Sequence, residues 1–139
     1  MALLSRAIHL LHSGDFTCVL CDRDRVLTDN RRGIVPLLER IEAGEDLKGV
    51  CVADRIIGRA AAMLLILGGV AAVHGDVMSV SAKELLEANG ITVSFDTLTE
   101  HIINRKGDGP CPMEQATAAL TDPADAPKAL REALNRLKQ

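Results

Sequence analysis

The sequence predicts an α/β fold built on a mixed sheet, and three observations carry that prediction. An amphipathic opening helix is followed by an apolar hairpin. A helix in the middle of the chain is apolar on nearly every face. From there on, strand and helix alternate, the pattern of parallel strands joined by covering helices. With 139 residues the chain, 1–139, fits one domain, long enough for a real core and too short for two.

Residues Ala2 to His12 put Leu3, Leu4, Ala7, Ile8, Leu10 and Leu11 at helical spacing, and Ser13-Gly14-Asp15 stops them. Phe16 to Cys21 reads as a strand, Asp22 to Arg25 as a polar turn and Val26 to Thr28 as the hairpin partner. Arg31-Arg32-Gly33 leads into a short helix from Ile34 to Ala43, with Pro36 tolerated in its first turn, and Gly44-Glu45-Asp46 ends it.

Leu47 to Val52 lead into the central helix, which Asp54 opens and Gly68-Gly69 stop. After Arg59 it is so apolar that it must be buried. Its charges, Asp54, Arg55 and Arg59, crowd the first two turns, which puts a polar end where the fold is expected to keep a pocket. Val70 to His74 follow as a strand, Ser79 or Ser81 caps a helix from Ala82 to Ala88, and Asn89-Gly90 closes it before the strand Ile91 to Phe95. Leu98 to Asn104 reads as helix, Arg105 to Pro112 as a loop rich in Gly and Pro, and Met113 to Leu120 as helix again. Asp122 to Pro127 breaks the chain before a surface helix, Lys128 to Leu137.

Composition narrows the function classes. Phe16 and Phe95 are the only aromatic residues, so the core is aliphatic and stacking platforms for bases are nearly absent. Sixteen Lys and Arg against nineteen Asp and Glu leave a net charge of −3, which argues against a nucleic-acid-binding face. The N-terminus does not read as a secretory signal, so the four cysteines are expected to be reduced and the location cytoplasmic. No membrane segment is expected, because the longest uncharged run, from Ala60 to Val73, is broken by Gly68-Gly69 and falls short of the roughly 17–25 residues a span needs. Apolar stretches on several elements, with sheet edges to cover, predict a homo-oligomer.

The order helix, hairpin, then alternating helix and strand resembles the cytidine-deaminase-like fold, a three-layer α-β-α sandwich with a mixed sheet. Three blocks strengthen this: 44–49 (Gly-Glu-Asp-Leu-Lys-Gly), 52–62 around Asp54-Arg55-Ile56-Ile57-Gly58-Arg59, and Asn104-Arg105 through Gly109-Pro110-Cys111-Pro112-Met113-Glu114. They are similar to those of a family of small uncharacterised proteins, a domain of unknown function whose fold is deaminase-like. The resemblance runs along nearly the whole chain and implies a fold without an activity. Zinc deaminases need a His or Cys with a Glu two residues on at one helix start, and Pro-Cys-x-x-Cys at the next. Here Cys51-Val52-Ala53-Asp54 misses the first spacing and Met78-Ser79-Val80-Ser81 lacks any ligand at the second, so neither a catalytic zinc nor another cofactor is expected.

The candidate site residues are therefore polar groups near those helix starts. Cys18-Val19-Leu20-Cys21 has the spelling of a redox or metal pair, but strand geometry turns its thiols to opposite faces. Asp54 reads as a helix cap or as an acid/base. Arg55 and Arg59, one turn apart on that helix, read either as solvated or paired side chains or as a clamp for a small anionic ligand. Cys111, bounded by Pro110 and Pro112, reads as a structural thiol in a rigid turn or as a nucleophile or redox thiol favoured by a helix start, with Glu114 as a second acid/base and Asn104 and Arg105 at the rim. His9, His12, His74 and His101 show no ligand spacing. Two functions follow: a metal-independent enzyme acting on a small anionic or nucleotide-like molecule, or a non-catalytic ligand-binding or interaction module on the same scaffold.

Overall fold

The computed structural model describes residues 2–31, 33–103, 107, 109 and 111–138. Its elements, in chain order, are α1 (Ala2–His12), β1 (Cys18–Cys21), β2 (Val26–Asp29), α2 (Val35–Glu42), β3 (Cys51–Ile57), α3 (Arg59–Gly68), β4 (Ala72–Ser79), α4 (Val80–Ala88), β5 (Thr92–Thr99), α5 (Pro112–Thr117) and α6 (Ala126–Leu137), with a 3-10 turn at Pro123–Asp125. The strands form one sheet in the order β2-β1-β3-β4-β5. β1 runs antiparallel to both β2 and β3, whereas β3, β4 and β5 are parallel.

Helices cover both faces. On one, Ala7 and Leu11 of α1 pack on Val19, Cys21 and Ala53, and Leu4 packs on Cys51 and Ala72. On the other, Cys18, Leu20, Val52 and Val73 meet side chains from α2, α3, α4 and α6 in the main core. The odd and even residues of β1 thus serve two different cores, as strand pleating requires.

α3 is the centre of the larger core. All of Ala60 to Leu65 is buried, and Met63, Leu64 and Leu65 are fully enclosed. Each such side chain contributes about 1.5–3 kcal/mol on leaving water. Its last turn is closed by Gly69, whose φ of 78° is left-handed and whose N–H reaches the carbonyls of Leu65 and Ile66.

Three sequence expectations are corrected. Asp54 does not open the central helix: Cys51 to Ile57 form β3, hydrogen-bonded to β1 on one side and β4 on the other, and the helix starts at Arg59 after the extended Gly58. A short apolar run reads alike as buried strand or buried helix, and here pairing on both edges decides the matter. β4 does not end at His74 but continues through Gly75-Asp76-Val77-Met78 to Ser79. Leu98 is not the start of a helix either, because β5 runs on to Thr99, in register with Ser79. Elsewhere the elements stand close to expectation, including the Ser79 cap, whose hydroxyl accepts from the Ala82 N–H at 3.1 Å.

Candidate functional site

The parallel strands β3, β4 and β5 end at one edge of the sheet, and α3 and α4 begin there. In open α/β sheets this carboxyl edge is where ligands gather. A cleft of about 450 Å³ opens at that edge, lined among others by Arg59, Ser81, Glu84 and Glu100. A second of about 220 Å³ adjoins it, shares Ser81 and Glu100, and adds Ser79, His101, Glu114 and Gln115.

Two side chains of this edge are already committed to the fold. The Glu114 carboxylate, carried by α5, accepts the N–H groups of Arg59 at 2.7 Å and Ala60 at 2.9 Å. It thereby fills the anion position at the start of α3, where the helix dipole and unpaired N–H groups favour a negative charge. Gly58 makes room for it, since a Cβ there would lie 2.3 Å from Glu114 Oε1. Arg59 returns the contact: its Nε donates to the Thr117 carbonyl at 3.1 Å, one terminal nitrogen to Ser81 Oγ at 3.0 Å, and the other to the Leu120 carbonyl. α3, α4 and the end of α5 are tied together by one guanidinium.

Arg55 is not its neighbour on a helix. It lies in β3 and reaches toward α1, donating to the carbonyls of Phe16 at 3.1 Å and Leu11 at 2.8 Å and to Asp76 Oδ2 at 3.2 Å. The two arginines therefore serve opposite faces of the sheet and do not converge on one anion.

Asp54 stands across the β1–β3 ladder from Cys18 and accepts the Ile56 N–H at 3.2 Å. Burial, only partly offset by hydrogen bonds from the Ile56 N–H and the Cys18 thiol, pushes its carboxyl up to about 7. Burial first and Asp54 second push the Cys18 thiol well up in turn. Cys111 is the N-cap residue of α5, half-buried, with its N–H donated to the Ile102 carbonyl at 3.1 Å. Among the described residues no hydrogen bond joins the Cys111 thiol to Asp54 or Glu114. Asn104 and Arg105 lie outside the described residues.

The helix starts at this edge carry Gly58 and Arg59 on α3 and Ser79, Val80 and Ser81 on α4. They offer neither thiolate nor imidazole and do not fit a deaminase zinc. Metal-ligand chemistry converges elsewhere: on the α1 face, His12, His74, Asp76 and Asp96 bring their ligand atoms within 4.8 Å of one another. A strand that ends at His74 leaves this set out of view, because Asp76 then falls beyond it. The signal was present in the period-2 spacings His74-x-Asp76 and Ser94-x-Asp96 on neighbouring strands.

The family described as "TM1506: Domain of unknown function (DUF1893)" matches residues 6–134. Among solved structures, a DUF1893 family protein (TM1506) from Thermotoga maritima is similar with a TM-score of 0.83 and 24% identity, over 97% of this chain and 90% of that one. At that identity the likeness concerns the fold. No curated protein matches.

Proposed function

The chain belongs to the DUF1893 family, and we propose that it is a small-ligand-binding module on a deaminase-like scaffold, working without covalent catalysis. The strand order β2-β1-β3-β4-β5, with α3 and α4 starting at the cleft, supports the scaffold. The observation that carries the binding reading is the clamp of Glu114 on the α3 N-terminus. A carboxylate holding two backbone N–H groups is poorly placed to shuttle protons, and Asp54, the other candidate acid/base, lies opposite Cys18 in the β1–β3 ladder and accepts the Ile56 N–H.

The rim sets the ligand class. Glu84 and Glu100 outnumber Arg59, whose guanidinium is largely spent on Ser81 and two carbonyls. A neutral or cationic molecule rich in hydrogen-bond donors suits this cleft better than the small anion expected from sequence, and its volume falls in the range of about 300–1,000 Å³ usual for small-molecule pockets. A homo-oligomer belongs to the same reading, because β5 is an edge strand and its Leu98, like Ile103 just beyond it, is exposed.

A thermal-shift panel of nucleosides, polyamines, amino acids, inorganic phosphate and nucleotides tests the proposal. A donor-rich neutral or cationic compound should raise Tm, and Glu100→Gln should remove the rise while leaving the free protein's Tm unchanged. Preference for phosphate-bearing compounds, or turnover of the bound compound that Cys111→Ser abolishes, would instead support the enzyme reading.

A further inference from the structure

The geometry points to a divalent transition-metal site, of the zinc type, on the α1 face, held by His12 Nε2, His74 Nε2, Asp76 and Asp96. His12 is the last residue of α1, His74 and Asp76 alternate on β4, and Asp96 lies on β5. The register that pairs His74 with Ser94 and Val77 with Thr97 sets Asp76 beside Asp96, so four side chains of two adjacent strands form a two-by-two array under the end of α1.

Both imidazoles aim at one oxygen. His12 Nε2 lies 2.7 Å and His74 Nε2 3.0 Å from Asp76 Oδ1, and Asp96 Oδ2 is 3.9 Å from His74 Nε2. Zinc bonds of about 2.0–2.2 Å hold tetrahedral ligands about 3.3–3.6 Å apart. The spread found here, up to 4.8 Å, needs only small rotations of the two more exposed members, His12 and Asp96.

The surrounding groups orient these ligands as the outer shell of a metal site does. Ser94 Oγ sits 2.9 Å from His74 Nδ1, where it can accept that N–H and leave the Nε2 lone pair for a metal. Arg55 holds Asp76 Oδ2 at 3.2 Å and leaves Oδ1 for the centre of the cluster. His12, His74 and Arg55 all hydrogen-bond the Asp76 carboxylate and fix its orientation. His74 is 2% exposed and Asp76 20%, whereas Asp96 is 62% exposed, so the site is anchored in the sheet and open to solvent on one side.

Two imidazole nitrogens and two carboxylate oxygens, without a thiolate, suit Zn²⁺, Co²⁺ or Ni²⁺ better than the all-oxygen preference of Ca²⁺ or Mg²⁺. The metal would take the place of the N–H that each Nε2 turns toward Oδ1, and the displaced proton of His74 can move to Nδ1, where Ser94 Oγ accepts it. The bound ion would pin the C-terminal end of α1 to β4 and β5.

The test is calorimetric titration of chelator-stripped full-length protein with ZnCl2, repeated with CoCl2 by visible absorption. One ion per chain is expected, with a cobalt spectrum free of a thiolate charge-transfer band. Ser94→Ala should weaken binding about tenfold, and His12→Ala and Asp96→Asn, both at exposed positions, should weaken it further while circular dichroism stays unchanged. Unaltered affinity in His12→Ala and Asp96→Asn, a thiolate band, or one ion per two chains would each overturn the site. The cleft lies at a different face, so its ligand panel fails or succeeds independently of this titration.

Discussion

Asp54 on β3 stands directly opposite Cys18 on β1, a carboxyl and a thiol paired within the sheet. Burial dominates for both and keeps them from ionising; the charge of Asp54 adds to it at Cys18, whereas the thiol partly offsets it at Asp54. The pair explains why a residue that reads as a helix cap is tolerated in the central part of a strand. Protonated, Asp54 is a neutral polar group with hydrogen-bond partners, which burial allows.

That pairing gives stability a defined pH dependence. A carboxyl held at about 7 in the folded chain, above its unfolded value near about 4, lends stability that is complete below the unfolded value and is lost as pH rises through 7. At about 1.4 kcal/mol per pKa unit the loss is at most of the order of 4 kcal/mol. Asp54→Asn should therefore flatten the urea-unfolding midpoint between pH 5 and pH 8, where the parent protein declines. Parallel curves for the two proteins would show that Asp54 ionises freely in the native state.

Much of the fold was legible, and the failures share one cause. α1, the first hairpin, α2 and α6 follow from periodicity and stop signals, because each has one wet face that leaves a pattern. The first half of β3 and most of α3 are enclosed, and of their large apolar side chains Ile56 and Leu67 are exposed, so Val50 to Leu67 carries no clear alternation to separate strand from helix, and Gly58 is a weak marker of the boundary. The candidate site suffered in proportion. Placing Arg55 and Arg59 on one helix created a clamp that the strand-to-helix switch at Gly58 dissolves, and stopping β4 at His74 hid Asp76. Cys111 and Glu114 were placed correctly near a helix start, but the partner of Glu114, fifty-five residues away at Arg59, is a tertiary contact with no local signature.

The Glu114 clamp predicts strong coupling with Gly58. Glu114→Ala should cost about 1–2 kcal/mol through loss of two capping hydrogen bonds. A Cβ at Gly58 would collide with that carboxylate and is relieved by expelling it, so Gly58→Ala should cost about the same. The double variant should then cost little more than either single one, a departure from additivity of about 1 kcal/mol in a double-mutant cycle by urea unfolding. Additive losses would mean that Gly58 is needed for some other reason.

The two arginines should behave as independent fasteners. Hydrogen bonds from a guanidinium to buried carbonyls are each worth about 1.5–3 kcal/mol, and Arg55 and Arg59 hold Leu11 and Phe16 on one face and Thr117 and Leu120 on the other. Arg55→Ala and Arg59→Ala should each lower the unfolding midpoint, with losses that add within about 0.5 kcal/mol because the sites share no partner. A fully stable double variant that loses affinity for phosphate would restore the anion clamp expected from sequence.

Thiol reactivity separates the two functional readings most sharply. Cys18, Cys21 and Cys51 are 2%, 1% and 0% exposed, and burial pushes all three thiols up. Cys111 is the least buried of the four and caps a short helix, so limited iodoacetamide labelling at pH 7, read by peptide mass spectrometry, should modify it first. Exposure alone does not make a nucleophile. The Glu114 carboxylate beside it on α5 is turned to the α3 start, and among the described residues no base meets the Cys111 thiol. Cys111→Ser should therefore leave ligand binding intact and change stability by less than about 1 kcal/mol. Turnover of a bound compound that Cys111→Ser abolishes would mark a nucleophilic thiol at the cleft and overturn the binding-module reading.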